Sequence, residues 1–246
     1  MVTAPQQLLS LLESGDVLAL GRLAARQRTH RNIGFLEDEA VWPAWTHPPE
    51  AVPRMVHCLD EVQLEKARKL HPGVWVHGPV EGADSFALVT PELGKAWTPA
   101  DCKGPVVASF TYPPGFAPAA LVERLEALGK LPNLVAVSPL PAAVGDRVLV
   151  PGATTDGTDD AAVLAACRIV LPKVHVRSSW AALGWKVAQV CLAFGADTLS
   201  GWGAEEQLAY SSRTRAASVV DRAEVELGIR EAGFEPVEVS RCDWDC

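Results

Sequence analysis

The stretch "RSSWAALGWKVAQVCLAFGADTLSGWG" (residues 177–203) decides the fold. A β-like run, Val174–Arg177, ends in an arginine followed by two serines. A helix then starts at Ser179 and gathers Trp180, Leu183, Val187, Cys191 and Phe194 on one face. Gly195 stands where a helix ends in a left-handed residue. A second short run, Thr198–Leu199, follows at once. Strand, amphipathic helix and strand in this order form a βαβ unit, whose two strands must be parallel.

The same alternation extends outward in both directions. Short apolar runs lie at Ile33–Leu36, Val74–His77, Ser85–Val89, Val106–Phe110 and Leu134–Val137. Residues 118–128 place Leu121, Val122, Leu125 and Leu128 on one helical face, with Pro118 in the first turn and Gly129 as the stop. Residues 159–170, starting after Thr158, keep Val163, Leu164, Cys167 and Val170 together. Asp221 and Glu224 open a last helix that closes at Gly233. Residues 5–13 and 16–27 read as two helices split by "SGD", where Ser14 and Asp16 can cap.

About seven strands alternating with helices predict an α/β chain, a full or partial (β/α) barrel of the TIM type. One domain spans 1–246, with residues 1–30 as an N-terminal helical extension. An open doubly wound sheet is the second choice. It is disfavoured because no G-x-G-x-x-G and no G-x-x-x-x-G-K-[ST] follows a strand.

Composition narrows the function. With 246 residues, net charge −8 and a pI near 5.3, the chain lacks the basic patch that nucleic acid requires. No run of about 18 apolar residues and no signal-peptide pattern is present, so a cytoplasmic, non-membrane protein is expected. Cys167 and Cys191 fall on apolar helix faces and read as buried hydrophobes. Cys242 and Cys246 form a C-x-x-x-C with no third partner at a ligand spacing. No metal site is expected.

In such a barrel, function sits at the C-terminal ends of the strands. Those positions hold Glu37, Asp38 and Glu39, then His77, Thr90, Ser109 and Thr111, Ser138, Arg177 with Ser178, and Ser200. Arg177, beside a helix N-terminus, suits a carboxylate or phosphate; a structural ion pair with Glu37, Asp38 or Asp197 is the alternative. His77, Glu37 and Glu39 are candidates for acid–base work. "GATTDGTDD" (152–160) is dense in hydroxyls and reads either as a helix-capping turn around Thr158 and Asp159 or as a hydrogen-bonding loop.

Residues 152–210, with "IREAGFEPVEVSR" beyond them, resemble the C-terminal half of the radical-SAM enzymes of the futalosine route to menaquinone. These are aminofutalosine synthase and dehypoxanthinylfutalosine cyclase, and the deazaflavin (F0) synthase subunit is similar. Thr154, Thr155, Asp160, Arg168, Arg177, Trp180, Gly184, Lys186, Gln189, Gly195, Ala196 and Asp197 fall in step with the family pattern. The resemblance covers roughly 134–242. It implies a substrate pocket to which Arg177, Thr154, Thr155 and Asp160 contribute, and the strand-end residues Ser178 and Ser109 are added to it as ligand-binding candidates.

It also implies a [4Fe–4S] cluster held by C-x-x-x-C-x-x-C after the first strand. Here "LEDEAVWPAWTHPPE" follows instead, without a cysteine. The family's glycine-rich SAM turn is missing as well, and its "LDGT" is replaced by Leu199-Ser200-Gly201-Trp202. No cofactor and no radical-SAM activity are therefore expected.

The first functional reading is a cluster-less barrel that binds an anionic or nucleoside-like small molecule in or near menaquinone biosynthesis. The second is a non-catalytic homodimer or partner of an active relative, with Trp42, Trp45, Trp202 and Trp244 at an interface. The third is a metal-dependent hydrolase or lyase using His57, His77, Cys58 and the C-terminal Cys242 and Cys246. It ranks last because no two of these residues has a ligand spacing in the sequence.

Overall fold

The computed structural model describes residues 4–28, 31–35, 41–43, 55–57, 61–70, 75–77, 86–89, 93–95, 106–142, 155–201 and 220–238. Its strands are β1 (Asn32–Phe35), β2 (Val41–Pro43), β3 (Met55–His57), β4 (Trp75–His77), β5 (Phe86–Val89), β6 (Val106–Tyr112), β7 (Leu134–Pro141), β8 (His175–Ser179), β9 (Thr198–Ser200) and β10 (Glu235–Glu238). Its helices are α1 (Ala4–Ser14), α2 (Val17–Gln27), α3 (Glu61–Leu70), α4 (Pro118–Leu128), α5 (Gly157–Val170), α6 (Trp180–Leu183), α7 (Trp185–Cys191) and α8 (Arg222–Glu231), with a 3₁₀ turn at Leu192–Phe194.

Every described ladder is parallel. Seven strands run in the order β10-β1-β9-β8-β7-β6-β5, and β2-β3-β4 form a second ladder. The first strand pairs with the late strand β9, as in a (β/α) barrel, and among the described residues the ladder ends at β10 and β5. The barrel expectation holds.

The core lies between the sheet and the helices. Val106, Ala108, Phe110 and Tyr112 alternate with half-buried neighbours along β6, the period-two pattern of a strand with two unlike faces. They join Leu121, Leu125 and Leu128 of α4 and Val163, Leu164 and Cys167 of α5 in one apolar cluster. Leu8, Leu12, Leu20 and Ala24 belong to the same cluster. The N-terminal helices therefore pack onto α4, α5 and the 3₁₀ turn.

Two local readings are corrected. Helix α5 begins at Gly157, not after Thr158. Its N-cap is Asp156, whose carboxylate accepts from the N–H groups of Thr158 and Asp159 at 2.9 Å each. The helix read as continuous from Ser179 is two, because Gly184 adopts φ 83 and splits α6 from α7. Helix α3 and strands β2, β3 and β10 went unread. The Asp16 cap on α2 and the Asp221 cap on α8 are as expected, accepting from Ala19 and Glu224 N–H at 2.9 and 2.8 Å.

Candidate functional site

Strand β8 has two chemically different faces. The Ser178 hydroxyl donates to the Ala188 carbonyl of α7 at 3.4 Å, so Ser178 faces the helices. Alternation then turns Arg177 and Ser179 toward the barrel interior. The same test applies to β1 and β9: the Arg222 guanidinium of α8 lies 5.5 Å over the Phe35 ring, and Phe35 is the register partner of Leu199. Phe35 and Leu199 thus face outward, while Gly34, Thr198 and Ser200 face inward.

The registers assemble the inward residues into layers. Arg177 pairs with Thr198, which pairs with Gly34. Ser109 pairs with Ser138. Val137 pairs with Val176, which sets Ser138 beside Arg177 one step further on. One interior layer therefore carries Ser109, Ser138, Arg177 and Thr198. Above it, toward the C-terminal ends, lie Thr111 and the partners Ser179 and Ser200. Arg177, Ser138, Thr198, Ser179 and Ser200 are all buried. A barrel interior that only fills space is built of Val, Ile and Leu. This one places Ser109, Ser138 and Arg177 in one layer with Thr198, whose hydroxyl donates to the Asp197 carboxylate at 3.3 Å.

Asp160 belongs to a different compartment. It sits in the first turn of α5 and accepts a hydrogen bond from the Tyr112 hydroxyl at 2.8 Å, with both residues at 0% exposure. Burial, followed by the Asp160 carboxylate, pushes the Tyr112 phenol well above its ordinary pKa. Tyr112 is on the outward face of β6. Asp160 is thus next to the rim, behind the sheet as seen from Arg177. Thr155 is buried just before the Asp156 cap. Glu37, Glu39 and Thr154 lie outside the described residues. The backbone at His77 ends β4.

Asp197 is engaged at the opposite, N-terminal end of the sheet. Its carboxylate pairs with the Arg168 guanidinium, accepts from Val176 N–H at 2.9 Å and lies 3.4 Å from His175 Nδ1. Burial alone would raise its pKa, but His175, Arg168 and the backbone donor outweigh it and hold the carboxyl below its usual range. Arg28 approaches the same corner, donating to the carbonyls of Leu192 and Ala196 at 2.6 and 2.5 Å and stacking 4.3 Å over Phe234. Burial pushes this guanidinium down to about 10, with Asp197 opposing and Arg168 reinforcing the shift. Motif residues Arg168, Ala196 and Asp197 are thus fold-holding, whereas Arg177 faces the interior. Residues that sequence reasoning undervalued are Tyr112 and Thr198. Only strand register reveals Thr198 as a neighbour of Arg177.

The architecture defines the class: a parallel (β/α) barrel of the TIM type. The structure resembles the crystal structure of methylornithine synthase (PylB), with a TM-score of 0.56 at 12% identity over 96% of this chain and 94% of that one. Residues 142–242 match the family described as "CofH/MqnC C-terminal region". The curated relatives include 5-amino-6-(D-ribitylamino)uracil–L-tyrosine 4-hydroxyphenyl transferases. That of Methanosarcina mazei is 34% identical over 98 residues, 39% of this chain and 26% of the relative. That of Methanosarcina acetivorans is 33% identical over 116 residues, 45% of this chain and 30% of the relative. The matched segment spans under a third of each relative's length. The family resemblance read from the motifs is borne out over this segment.

Of the six cysteines, Cys167 and Cys191 lie among the described residues. Cys167 and Cys191 are buried in α5 and α7, and burial pushes both thiols up, away from the thiolate a metal needs. No three cysteines in the sequence stand within a C-x-x-x-C-x-x-C. No helix among the described residues is long and apolar enough to cross a membrane.

Proposed function

We propose that this chain binds a polyhydroxylated or nucleoside-like small molecule bearing an anionic group, in the barrel interior at the C-terminal ends of β6 to β9. It does so without a radical-SAM cluster. The observation that carries the reading is the interior layer of Ser109, Ser138, Arg177 and Thr198, where an apolar plug would otherwise stand. A guanidinium recognises a carboxylate or phosphate in a fixed fork, and hydroxyls both donate and accept toward sugar-like oxygens.

The relatives support this ligand class, because their names specify a ribityl-bearing uracil and an amino acid with a carboxylate. A place beside the futalosine route to menaquinone, or beside ribitylaminouracil chemistry, follows from the family of the matched segment. His77, Glu37 and Glu39 remain the candidates for any acid–base step.

Thermal unfolding in the presence of futalosine-type nucleosides, 5-amino-6-(D-ribitylamino)uracil and tyrosine tests the proposal. At least one is expected to raise the midpoint, and Arg177→Ala is expected to abolish the shift for an anionic ligand. A bound guanidinium–carboxylate contact is worth about 1.5–3 kcal/mol, or roughly ten- to hundredfold in affinity. No shift with any of these compounds overturns the reading. Visible charge-transfer absorption from protein-bound iron and sulfide in anaerobic preparations overturns its cluster-less part.

A further inference from the structure

We infer that the outer face built by α2, α7 and α8 is the contact surface of a two-fold dimer of this chain. Among the described residues, large apolar side chains stand exposed at few places. Leu18, Val190 and Leu227, at 66, 54 and 55% exposure, belong to these three helices. Apolar groups gathered on a bare surface mark an interaction site.

Packing brings the three helices into one face. Gly21 of α2 lies so close to the Phe194 ring that a Cβ there would stand 2.8 Å from Cε1. Leu18 precedes Gly21 by three residues and Val190 precedes Phe194 by four, so each flanks that contact. On its other side α7 meets α8: Gly228 lies against the Trp185 indole, and Gln189 Nε2 donates to the Gly228 carbonyl at 2.9 Å. Leu227 adjoins Gly228. Helix α7 is thus the middle of the face, with α2 and α8 as its edges.

The edges carry opposite charge. Arg22 and Arg26 follow Leu18 along α2 at intervals of four residues, both exposed. Glu224 and Glu231 flank Leu227 on α8, three residues before it and four after, and are exposed as well. Among the described residues none of these four side chains joins an ion pair, whereas Arg222 and Arg230 of α8 are taken up by Glu226. The exposed charge of α7, Lys186, lies a turn away from Val190.

This polarity commits the face to a second copy. A two-fold axis standing on α7 lays the α2 edge of one copy on the α8 edge of the other, and the reverse, so one patch complements itself. A partner of a single charge sign would match one edge and be repelled by the other. Val190 of each copy meets at the axis, with apolar groups inside and charges at the rim. The face is on the helical exterior and does not rest on the ligand proposed for the barrel interior.

The test is sedimentation equilibrium of the untagged full chain. A mass twice that of the 26.3 kDa chain is expected, with a dissociation constant of about 1–100 μM. Val190→Asp is expected to weaken the dimer at least about tenfold. Raising salt from about 0.1 to 1 M, which shortens the screening length from about 10 to 3 Å, is expected to weaken it too.

Charge reversal separates this face from any other. The Arg22→Glu/Arg26→Glu variant and the Glu224→Lys/Glu231→Lys variant each carry one sign on both edges, and each alone is expected to be monomeric. Mixed one to one they are expected to pair as a heterodimer, which also shows that both fold. A parent that stays monomeric up to about 100 μM overturns the proposal. So does an open-ended assembly, or mixed variants that fail to pair.

Discussion

Arg168 of α5 and Asp197 at the entry to β9 form an ion pair whose side chains are 5% and 4% exposed. The rest of the Arg168 guanidinium is used up on backbone. Its Nε donates to the Gly195 carbonyl at 3.0 Å, and Nη1 donates to those of Pro172 and Val174 at 3.0 and 3.1 Å. One side chain thereby ties the end of α5, the loop into β8 and the turn into β9.

Arg168→Met is expected to destabilise the protein by about 3–5 kcal/mol, because it strands a buried carboxylate and three carbonyls. Denaturant unfolding of the full chain measures this through its midpoint. A change below about 1 kcal/mol would show that the buried pair is not what fastens these elements.

The pH dependence of the same group has a definite sign. The folded pKa of Asp197 is lowered. Its contribution to stability is therefore fully present above the unfolded value, about 3.9, and is lost as pH falls through the folded value. The stability gap between the parent and Asp197→Asn is expected to be present at neutral pH and to shrink in acid below about pH 4. Unfolding curves at several pH values read it directly.

Tyr112 titrates in the opposite range. Its folded pKa is raised, so its contribution is present below the unfolded value, near 10, and is lost as pH rises toward the folded one. The sequence has two tyrosines, Tyr112 and Tyr210. Ultraviolet titration of the folded protein at about pH 10–11 is expected to show no ionisation from Tyr112. Tyr112→Phe is expected to leave that titration unchanged while costing about 1.5–3 kcal/mol through the hydrogen bond to Asp160.

Gly201, just past β9, has φ 148, and a Cβ placed there would lie 2.3 Å from Cε2 of Trp180. Gly201→Ala is expected to cost about 1–3 kcal/mol by overpacking against the indole. It is also expected to alter the fluorescence of Trp180. An unchanged unfolding midpoint would show that the ring moves aside freely.

Much of the barrel was legible because its longer strands are β-branched runs bounded by turns, as at Val106–Tyr112. The unread elements have physical reasons to be obscure. Strands β2, β3 and β4 are three residues each, too short for periodicity to show; only the apolar run before His77 betrayed β4. Strand β10 contains Pro236, which ordinarily argues against a strand, but it pairs only with β1 at the edge of the described sheet.

The split at Gly184 was hidden because the apolar spacing continues across it. At the site, Arg177 was legible from its place at a strand end. Its partnership with Thr198 was not. Sequence spacing carries no record of which strands become neighbours.

The two faces of β8 place the residues that hold the fold and the residues that would meet a ligand on alternate positions of one strand. Neutral drift at Arg177 or Ser179 can proceed without disturbing Val176 or Ser178. Such mutational independence lets a lineage exchange one specificity for another while its scaffold persists.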